Sequence, residues 1–431
     1  MTWRGVIEGY YGRPHTHAER LDLLAWLGAH GFGQFVHAPK DDPFHRERWR
    51  EPYPAAEEER WAELAAAGAA AGVDVVAAVS PGLDWAPGDE PVLVAKVERF
   101  RALGARGVVI AWDDVPGGGA DLGRSHGAAV AAAMVGAGDD VPWAVCPTDY
   151  ALSAPTPYLH ALADAVPAAV PIMWTGPEVV PPRIPAAPAR TLAEALGHPV
   201  LLWENFPVND GPMRGVLHLG PYPWRDPELP GATAGVIVNL MGHPLATRVG
   251  AELAGRFWAD PTTDPEQAWA EAIADRPGLE PLARASRSWI DHPGPDPTLA
   301  AWAAAAPGDR RLRDFLTAGC RDGLAPALAD ELEPWLRRWE AEATAMLAAL
   351  DVLEHPDATL VEVGRMYAAW VEARRTGRQL FGIRTALYPV AEMRGTGAPA
   401  DPRAVVMGEN LTDRLCRRAL ASLRGKDPGA A

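Results

Sequence analysis

Short apolar runs alternate with longer amphipathic runs through about the first 260 residues of the chain. Eight short runs are rich in β-branched and other apolar residues, which predicts eight strands. These runs begin at Arg4, Gly33, Val73, Gly107, Pro142, Ala169, Pro199 and Gly235. Runs with helical spacing lie between them, at 18–29, 56–71, 91–103, 127–136 and 191–196. Repeated strand–helix units are typical of parallel sheets, and eight of them favour a (β/α)8 barrel.

The pattern changes after Trp258, where strand signals end and long helical runs begin, notably at Glu331 and Leu360. We therefore predict an α/β protein with a TIM-like barrel domain over residues 1–260 and an all-α helical-bundle domain over 261–431. The helical part carries Trp302, Trp335, Trp339 and Trp370. Exposed helices need fewer large aromatic residues, so these side chains indicate either a packed core or a homodimer surface.

Composition narrows the functional classes. Hydrophobic residues make up 48% of the 431 residues and charged residues 22%, which is typical of a folded globular protein. The net charge of −16 would repel nucleic-acid phosphates and anionic lipid headgroups, so we expect no nucleic-acid and no membrane partner. The three cysteines are too scattered for a disulfide framework and are expected to be buried thiols.

Location and source are inferred from the same composition. No apolar run approaches the ~20 residues that span a bilayer, and the N-terminal residues do not have the pattern of a secretion signal. We therefore expect a cytoplasmic protein. Its richness in Ala, Gly, Pro and Arg indicates a bacterial genome of high GC content.

Polar residues close several of the apolar runs. In (β/α)8 barrels the reactive residues lie at the carboxyl ends of the strands and in the loops that follow. The candidates at these positions are Glu8, His37, Lys40, Asp113, Asp114, Tyr150, Trp174, Thr175, Trp203, Asn205, Asp210 and Asn239.

Asp113 and Asp114 stand side by side at the end of the fourth run, in GVVIAWDDVPG. Neighbouring residues of a regular strand point to opposite faces, but these two can converge if the backbone leaves the β conformation there. Either one could instead cap a helix or pair with an arginine. Two close carboxylates do not ionise independently, so one can hold a proton as an acid while the other stays charged. Adjacent acids suit substrate-assisted glycosidic cleavage better than a mechanism with one carboxylate on each side of the scissile bond.

Seven sequence blocks resemble glycoside hydrolase family 84, the O-GlcNAcases and related β-N-acetylglucosaminidases. The blocks are RGVIEGYYGRP from Arg4, APKDDPFHRERWREPYP from Ala38, the Asp113-Asp114 pair, CPTDY from Cys146, MWTGP from Met173, WENFPVND from Trp203 and VNLM from Val238. They follow the order of the family over about the first 260 residues. The resemblance implies a barrel enzyme that hydrolyses terminal β-linked N-acetylglucosamine with retention, through an oxazoline intermediate and without a cofactor or metal.

The resemblance also implies roles for the matched residues. Asp113 would orient the acetamido N–H and stabilise the oxazoline, while Asp114 would protonate the leaving oxygen and later activate water. Substrate contacts would come from the Gly9 backbone, Lys40, Tyr150, Trp174, Thr175, Trp203, Asn205, Asp210 and Asn239. The glycoside could be a glycoprotein, a glycopeptide or a small sugar.

Two alternatives from other functional classes stay open. One is an inactive barrel that binds N-acetylglucosamine or a glycopeptide. The other is a metal-dependent amidohydrolase, suggested by His15 and His17 after the first strand, although such enzymes need further histidines at later strand ends. The segment GGADLGRS from Gly118 resembles a phosphate-binding loop but has Arg124 where lysine is required, so we expect a flexible loop there.

Overall fold

A closed barrel of eight parallel strands forms the first part of the chain in this computed structural model. The strands are Trp3–Ile7 (β1), Gln34–His37 (β2), Asp74–Val79 (β3), Gly107–Ala111 (β4), Trp143–Cys146 (β5), Ile172–Trp174 (β6), Val200–Glu204 (β7) and Gly235–Asn239 (β8). Each strand pairs with its neighbours along the chain, and β8 closes the barrel on β1 with Ile7 opposite Asn239. Each predicted run overlaps one observed strand, so the (β/α)8 prediction is confirmed.

The structure describes residues 2–290, 292–305, 307–355, 357–375, 378–383 and 410–424. These residues form two compact units. One unit holds residues 2–210 and 222–264, and the other holds 211–221 together with the described residues from 265 onward. Among all these residues, no helix combines the length and the apolar character needed to cross a bilayer.

Side chains of the strands fill the barrel interior. Trp3 and Trp203 are the largest members of this buried cluster, whereas Ala38, Ala111 and Cys146 are small. The interior is thus a packed core, and the polar groups of a site are expected at the strand ends and in the loops that follow.

Helices surround the barrel, and local sequence signals set several of their ends. The helices are His17–Ala29 (α1), Ala55–Ala71 (α2), Glu90–Ala102 (α3), Ala120–Ala137 (α4), Pro157–Ala163 (α5), Ala186–Leu196 (α6), Leu229–Ala232 (α7) and Thr247–Ala259 (α8). Helix α1 starts with a capping box, in which the Thr16 hydroxyl accepts from the Glu19 N–H at 3.2 Å and the Glu19 carboxylate accepts from the Thr16 N–H at 2.6 Å. Helix α2 stops at Gly72, whose φ of +73° is a left-handed conformation that glycine adopts at little cost.

Two helices begin earlier than the sequence pattern predicts. The prediction of a flexible loop from Gly118 is wrong from Ala120 onward, because α4 starts at Ala120 and not at Gly127. Gly123 lies so close to α5 that a Cβ atom would sit 2.2 Å from the Tyr158 carbonyl oxygen, so packing between the helices offsets the low helix propensity of glycine. Helix α6 starts at Ala186 because Pro188 falls in the first turn, where its missing N–H removes no helical hydrogen bond.

The second unit is helical, as expected. Its helices are Pro265–Ala274 (α9), Glu280–Ala285 (α10), Pro297–Ala305 (α11), Arg310–Ala318 (α12), Pro326–Glu354 (α13), Leu360–Arg375 (α14) and Leu411–Arg424 (α15). Trp335 and Trp339 on α13 are buried, and Trp370 on α14 donates to the Asp413 carboxylate at 2.6 Å. Core packing therefore accounts for three of the four tryptophans, whereas Trp302 is partly exposed and lies 6.1 Å from the Phe315 ring. Cys146, Cys320 and Cys416 are buried thiols, as predicted.

A buried ion pair at the end of β7 stabilises the barrel, and we expect its loss to be costly. Arg225 donates to both oxygens of Glu204, at 2.7 and 2.8 Å, and the Tyr222 hydroxyl donates to the same carboxylate at 2.7 Å. Both charged side chains are fully buried. Glu204→Gln removes the negative charge that faces the buried Arg225 guanidinium, so the free energy of unfolding should fall by about 3–5 kcal/mol in urea denaturation.

The matched control is Glu228→Gln, which breaks an ion pair between Glu228 and Arg190 at the surface. That change should lower the free energy of unfolding by less than about 1 kcal/mol, because an exposed pair is screened by water. Equal losses in the two variants would contradict the structural role of the buried pair.

Candidate active site

Asp113 and Asp114 follow β4 at the carboxyl end of the barrel, where the chain turns out of the strand conformation. Asp114 has a φ of +54°, a left-handed value that is uncommon for residues other than glycine. Asp113 is buried and Asp114 is half-buried. The backbone thus leaves the β conformation at the pair, as the sequence predicts, and the two carboxylates have different surroundings.

The Asp113 carboxylate is held by positive charge. The Lys40 ammonium donates to Oδ2 in a buried ion pair, while the Arg46 guanidinium donates to the main-chain carbonyl oxygens of Asp113 and Asp114, at 3.4 and 3.1 Å. Burial by itself raises the pKa of Asp113, but Lys40 and Arg46 outweigh that effect and lower it. Within the described part of the chain, Oδ1 is buried and accepts no hydrogen bond. A charged carboxylate with one unused acceptor therefore sits in the core of the site.

The Asp114 carboxylate accepts from two phenols. The Tyr11 hydroxyl donates to Oδ2 at 2.8 Å, and the Tyr150 hydroxyl donates to Oδ1 at 2.5 Å. Burial raises the pKa of both tyrosines, and the negative charge of Asp114 raises it further. Both phenols thus keep their protons at neutral pH and remain hydrogen-bond donors.

Four residues from the ends of β1, β7 and β8 form a hydrogen-bonded chain. The Asn205 side-chain oxygen accepts from the Trp203 indole and from the Asn239 amide, both at 2.9 Å, and the Asn239 oxygen accepts from the Gly9 N–H at 3.2 Å. A Cβ atom at Gly9 would lie 2.7 Å from the Trp203 ring, so glycine is needed for this close approach. The Lys40 ammonium lies 5.7 Å from the centroid of the Trp203 ring, which joins this chain to Asp113.

Asp210 is connected to Asp114 through Tyr11. The Asp210 Oδ2 atom accepts from the Tyr11 N–H at 2.8 Å, while the hydroxyl of the same tyrosine reaches Asp114. Burial raises the pKa of Asp210, and the negative charge of Asp114 contributes to the rise, while the Tyr11 N–H opposes it. Tyr11 thus holds two acidic side chains from different loops.

Trp174 and Thr175 have polar contacts to the main chain. The Trp174 indole donates to the Leu152 carbonyl at 2.8 Å, and the Thr175 hydroxyl donates to the Glu178 carbonyl at 2.8 Å. The Thr175 N–H donates to the Tyr150 carbonyl at 3.0 Å. These contacts hold the loops that carry Tyr150, and they do not connect the two side chains to either acid.

Other strand-end candidates have structural partners. Glu8 is buried and forms an ion pair with the half-buried Arg20 at 2.7 Å, and the His37 ring packs against Trp61 of α2 at 5.7 Å. His15 contacts the Met241 carbonyl at 3.2 Å, whereas His17 contacts Glu63 at 2.8 Å, so the two histidines of the HTH segment face different partners. Within the described ranges, no group of three or more His, Cys, Asp or Glu side chains is arranged to hold a metal ion.

Tyr11 and Arg46 belong to the site but were not among the residues inferred from strand ends. Both lie in blocks that carry the family resemblance, YYGRP and FHRERW. Nothing in the sequence distinguishes Tyr11 from its neighbour Tyr10, whose hydroxyl donates to the Arg13 carbonyl at 3.3 Å. Only their side-chain directions in the folded chain separate the two tyrosines.

The sequence of this chain resembles those of known proteins. The model of the beta-N-acetylglucosaminidase family matches residues 4–288. The chain is similar to the Protein O-GlcNAcases of Rattus norvegicus and Mus musculus, each 29% identical over 252 residues that cover 54% of this chain and 27% of the relative. The match therefore spans little more than a quarter of the length of these relatives.

Solved structures share the fold. A mutant of the Thermobaculum terrenum O-GlcNAc hydrolase matches with a TM-score of 0.80 and 23% identity, over 97% of this chain and 95% of that chain. The structure of CpGH84B matches with a TM-score of 0.74 and 23% identity, over 97% of this chain and 76% of that chain.

Proposed function

Since the chain belongs to the β-N-acetylglucosaminidase family, as its sequence blocks predict, we propose that it is a retaining glycoside hydrolase that uses substrate assistance. Its substrate would carry a terminal β-linked N-acetylglucosamine, and the names of its relatives favour an O-linked sugar on a protein. One observation carries the proposal: two adjacent carboxylates lie in unlike environments, one paired with buried lysine and the other held by two phenols.

Asp113 would orient the acetamido group of the sugar and stabilise the charge that develops on it. Its negative charge is maintained by Lys40, and its unused Oδ1 can accept the acetamido N–H of the sugar. That hydrogen bond would turn the acetamido carbonyl oxygen toward the anomeric carbon and stabilise the positive charge that develops on the oxazoline. The protein then needs no carboxylate nucleophile.

Asp114 would exchange protons with the reacting oxygens. Both of its oxygens accept from tyrosines, so the leaving oxygen must displace one phenol before it can take a proton from Asp114. The reaction starts from Asp114 in its protonated form. As the C1–O bond breaks, that proton moves to the leaving group, the acetamido oxygen bonds to C1, and Asp114 is left as a carboxylate. The Asp114 carboxylate then takes a proton from water, which attacks C1 and opens the oxazoline. Two successive inversions leave the product in the β configuration.

The remaining site residues would hold the sugar. In this proposal Asp210 binds the 4- and 6-hydroxyls, Trp203 walls the acetamido pocket, and Asn205, Asn239 and Gly9 bind polar groups of the sugar and the leaving oxygen. Trp174 and Thr175 would act by positioning Tyr150, because the Thr175 N–H holds the Tyr150 carbonyl.

The sequence alone supports three further parts of the proposal. They are a bacterial source, a cytoplasmic location and a homodimer formed through the helical unit.

Progressive fluorination of the N-acetyl methyl group of an aryl β-N-acetylglucosaminide tests the substrate-assisted step. Fluorine withdraws electrons from the acetamido oxygen, so kcat/KM should fall steadily, by about tenfold or more across the series, if that oxygen is the nucleophile. The measurement is initial-rate hydrolysis, with NMR to identify the first anomer released. A flat dependence with retained configuration would indicate a carboxylate nucleophile instead. Binding of N-acetylglucosamine without any turnover would favour the inactive binding barrel.

A further inference from the structure

A cavity of about 220 Å³ lies on the outside of the barrel between α3 and the loop that precedes α2. Its apolar lining includes Tyr53, Val92, Ala95, Phe100 and Leu103. Phe100 is buried, and Ala95 is exposed to solvent. None of the cavity's lining residues belongs to the cluster around Asp113 and Asp114. The cavity is smaller than the ~300–1,000 Å³ typical of pockets for drug-sized ligands, so it suits a small molecule.

One buried cation lies among these apolar groups. The Lys96 side chain lines the cavity, and its ammonium donates to the Glu51 carbonyl at 2.9 Å and lies 4.8 Å from the centroid of the Tyr53 ring. In the described part of the protein this ammonium forms no ion pair, although the Asp42 and Glu51 carboxylates attract it from farther away. Burial lowers the pKa of Lys96 to about 8, which shows that its charge is poorly compensated. Buried lysines are rare unless they are paired.

The other charges at the cavity are already compensated. Arg50 pairs with Asp84 and Asp89, Arg99 pairs with Glu58, and Glu51 pairs with Arg48. Among the positive charges in the cavity wall, Lys96 is therefore the one that lacks a nearby carboxylate. The chain as a whole has a net charge of −16. An anion that enters this cavity would supply the missing counter-ion and would cover apolar surface at the same time.

We propose that this cavity is a binding site for a small organic anion with an apolar body, such as a medium-chain or aryl carboxylate, with its carboxylate on the Lys96 ammonium. The chain or ring would lie against Val92, Phe100 and Leu103. Such a site is independent of the proposed hydrolase activity, and it can be tested in the whole protein without any glycoside.

Octanoate is a suitable probe, because its roughly ten non-hydrogen atoms match a cavity of this size. In isothermal titration calorimetry we expect it to bind with a Kd of about 1 mM or below. Octanamide has the same shape but no charge, and it should bind at least about tenfold more weakly because it cannot pair with Lys96. Lys96→Met should weaken octanoate binding by a similar factor.

Two further variants make the test decisive. Arg60→Met removes an exposed cation of α2 that pairs with Glu57 and does not line the cavity, so it should leave octanoate binding unchanged. Ala95→Trp fills the cavity from an exposed helical position, so it should abolish binding even if Lys96→Met fails to fold, and thermal unfolding checks the folded state of each variant. Absence of octanoate binding to the wild type, or equal affinity in wild type and Ala95→Trp, would overturn the proposal.

Discussion

Asp114→Asn is expected to lower kcat/KM by about 10²–10⁴-fold for a β-N-acetylglucosaminide with a basic leaving group, such as an alkyl or methoxyphenyl glycoside. The asparagine cannot donate a carboxyl proton to the departing oxygen, so a basic alkoxide would have to leave without help. For a dinitrophenyl glycoside, whose leaving group is stable as an anion, the loss should be less than about tenfold. Because kcat/KM reports the first irreversible step, the comparison isolates bond cleavage from the later attack of water.

The control for this experiment is Asp121→Asn, the same change at an exposed acid of α4 that pairs with Arg124. It should keep wild-type kcat/KM on both substrates. An equal loss on basic and acidic leaving groups in Asp114→Asn would show that Asp114 is not the general acid. Tyr11 and Tyr150 both donate to Asp114, so each variant should also be checked for a native thermal transition.

Asp113→Asn is expected to lower kcat/KM by about 10²–10³-fold on both leaving groups. The amide cannot balance the positive charge on the forming oxazoline, and this charge is present whichever group departs. Plotting log kcat/KM against the pKa of the leaving group should give a line parallel to that of the wild type and displaced downward. A loss confined to basic leaving groups would instead assign the proton transfer to Asp113.

The Asp113→Asn variant also leaves the buried Lys40 ammonium without its carboxylate. An uncompensated buried charge typically costs about 3–5 kcal/mol, so the variant should unfold at lower urea concentration. Activity is therefore compared at a temperature where both proteins are folded. If the wild-type protein binds N-acetylglucosamine but hydrolyses none of these glycosides, the hypothesis of an inactive binding barrel would replace that of an enzyme.

The sequence was sufficient to predict the barrel and the end of the barrel at which the candidate residues cluster. Apolar runs such as residues 107–111 and 235–239 are buried on both faces, and such runs can be recognised without knowledge of their neighbours. The carboxyl ends of parallel strands meet on one face of a barrel, so the residues after those runs had to be close together. Lys40 and Asp113, 73 positions apart, form an ion pair there.

Two local features departed from the sequence pattern. Gly123 lies inside α4, where the tight contact with α5 outweighs the propensity of the segment. Glu8 follows β1 in the same way that Asp113 follows β4, but the Glu8 carboxylate is paired with Arg20 on α1. A strand-end acid can thus belong to a structural ion pair or to the site, and its sequence environment does not distinguish the two.

By itself, the sequence determined the fold class, the order of the strands and the set of polar residues at their ends, because these depend on patterns within short segments. The tertiary structure decided which of those residues interact. It placed Tyr11 between Asp114 and Asp210, paired Asp113 with Lys40, and left Lys96 beside an apolar cavity. The physical reason is that charges and hydrogen bonds act over a few ångströms in space, and distant segments reach that separation only when the chain has folded.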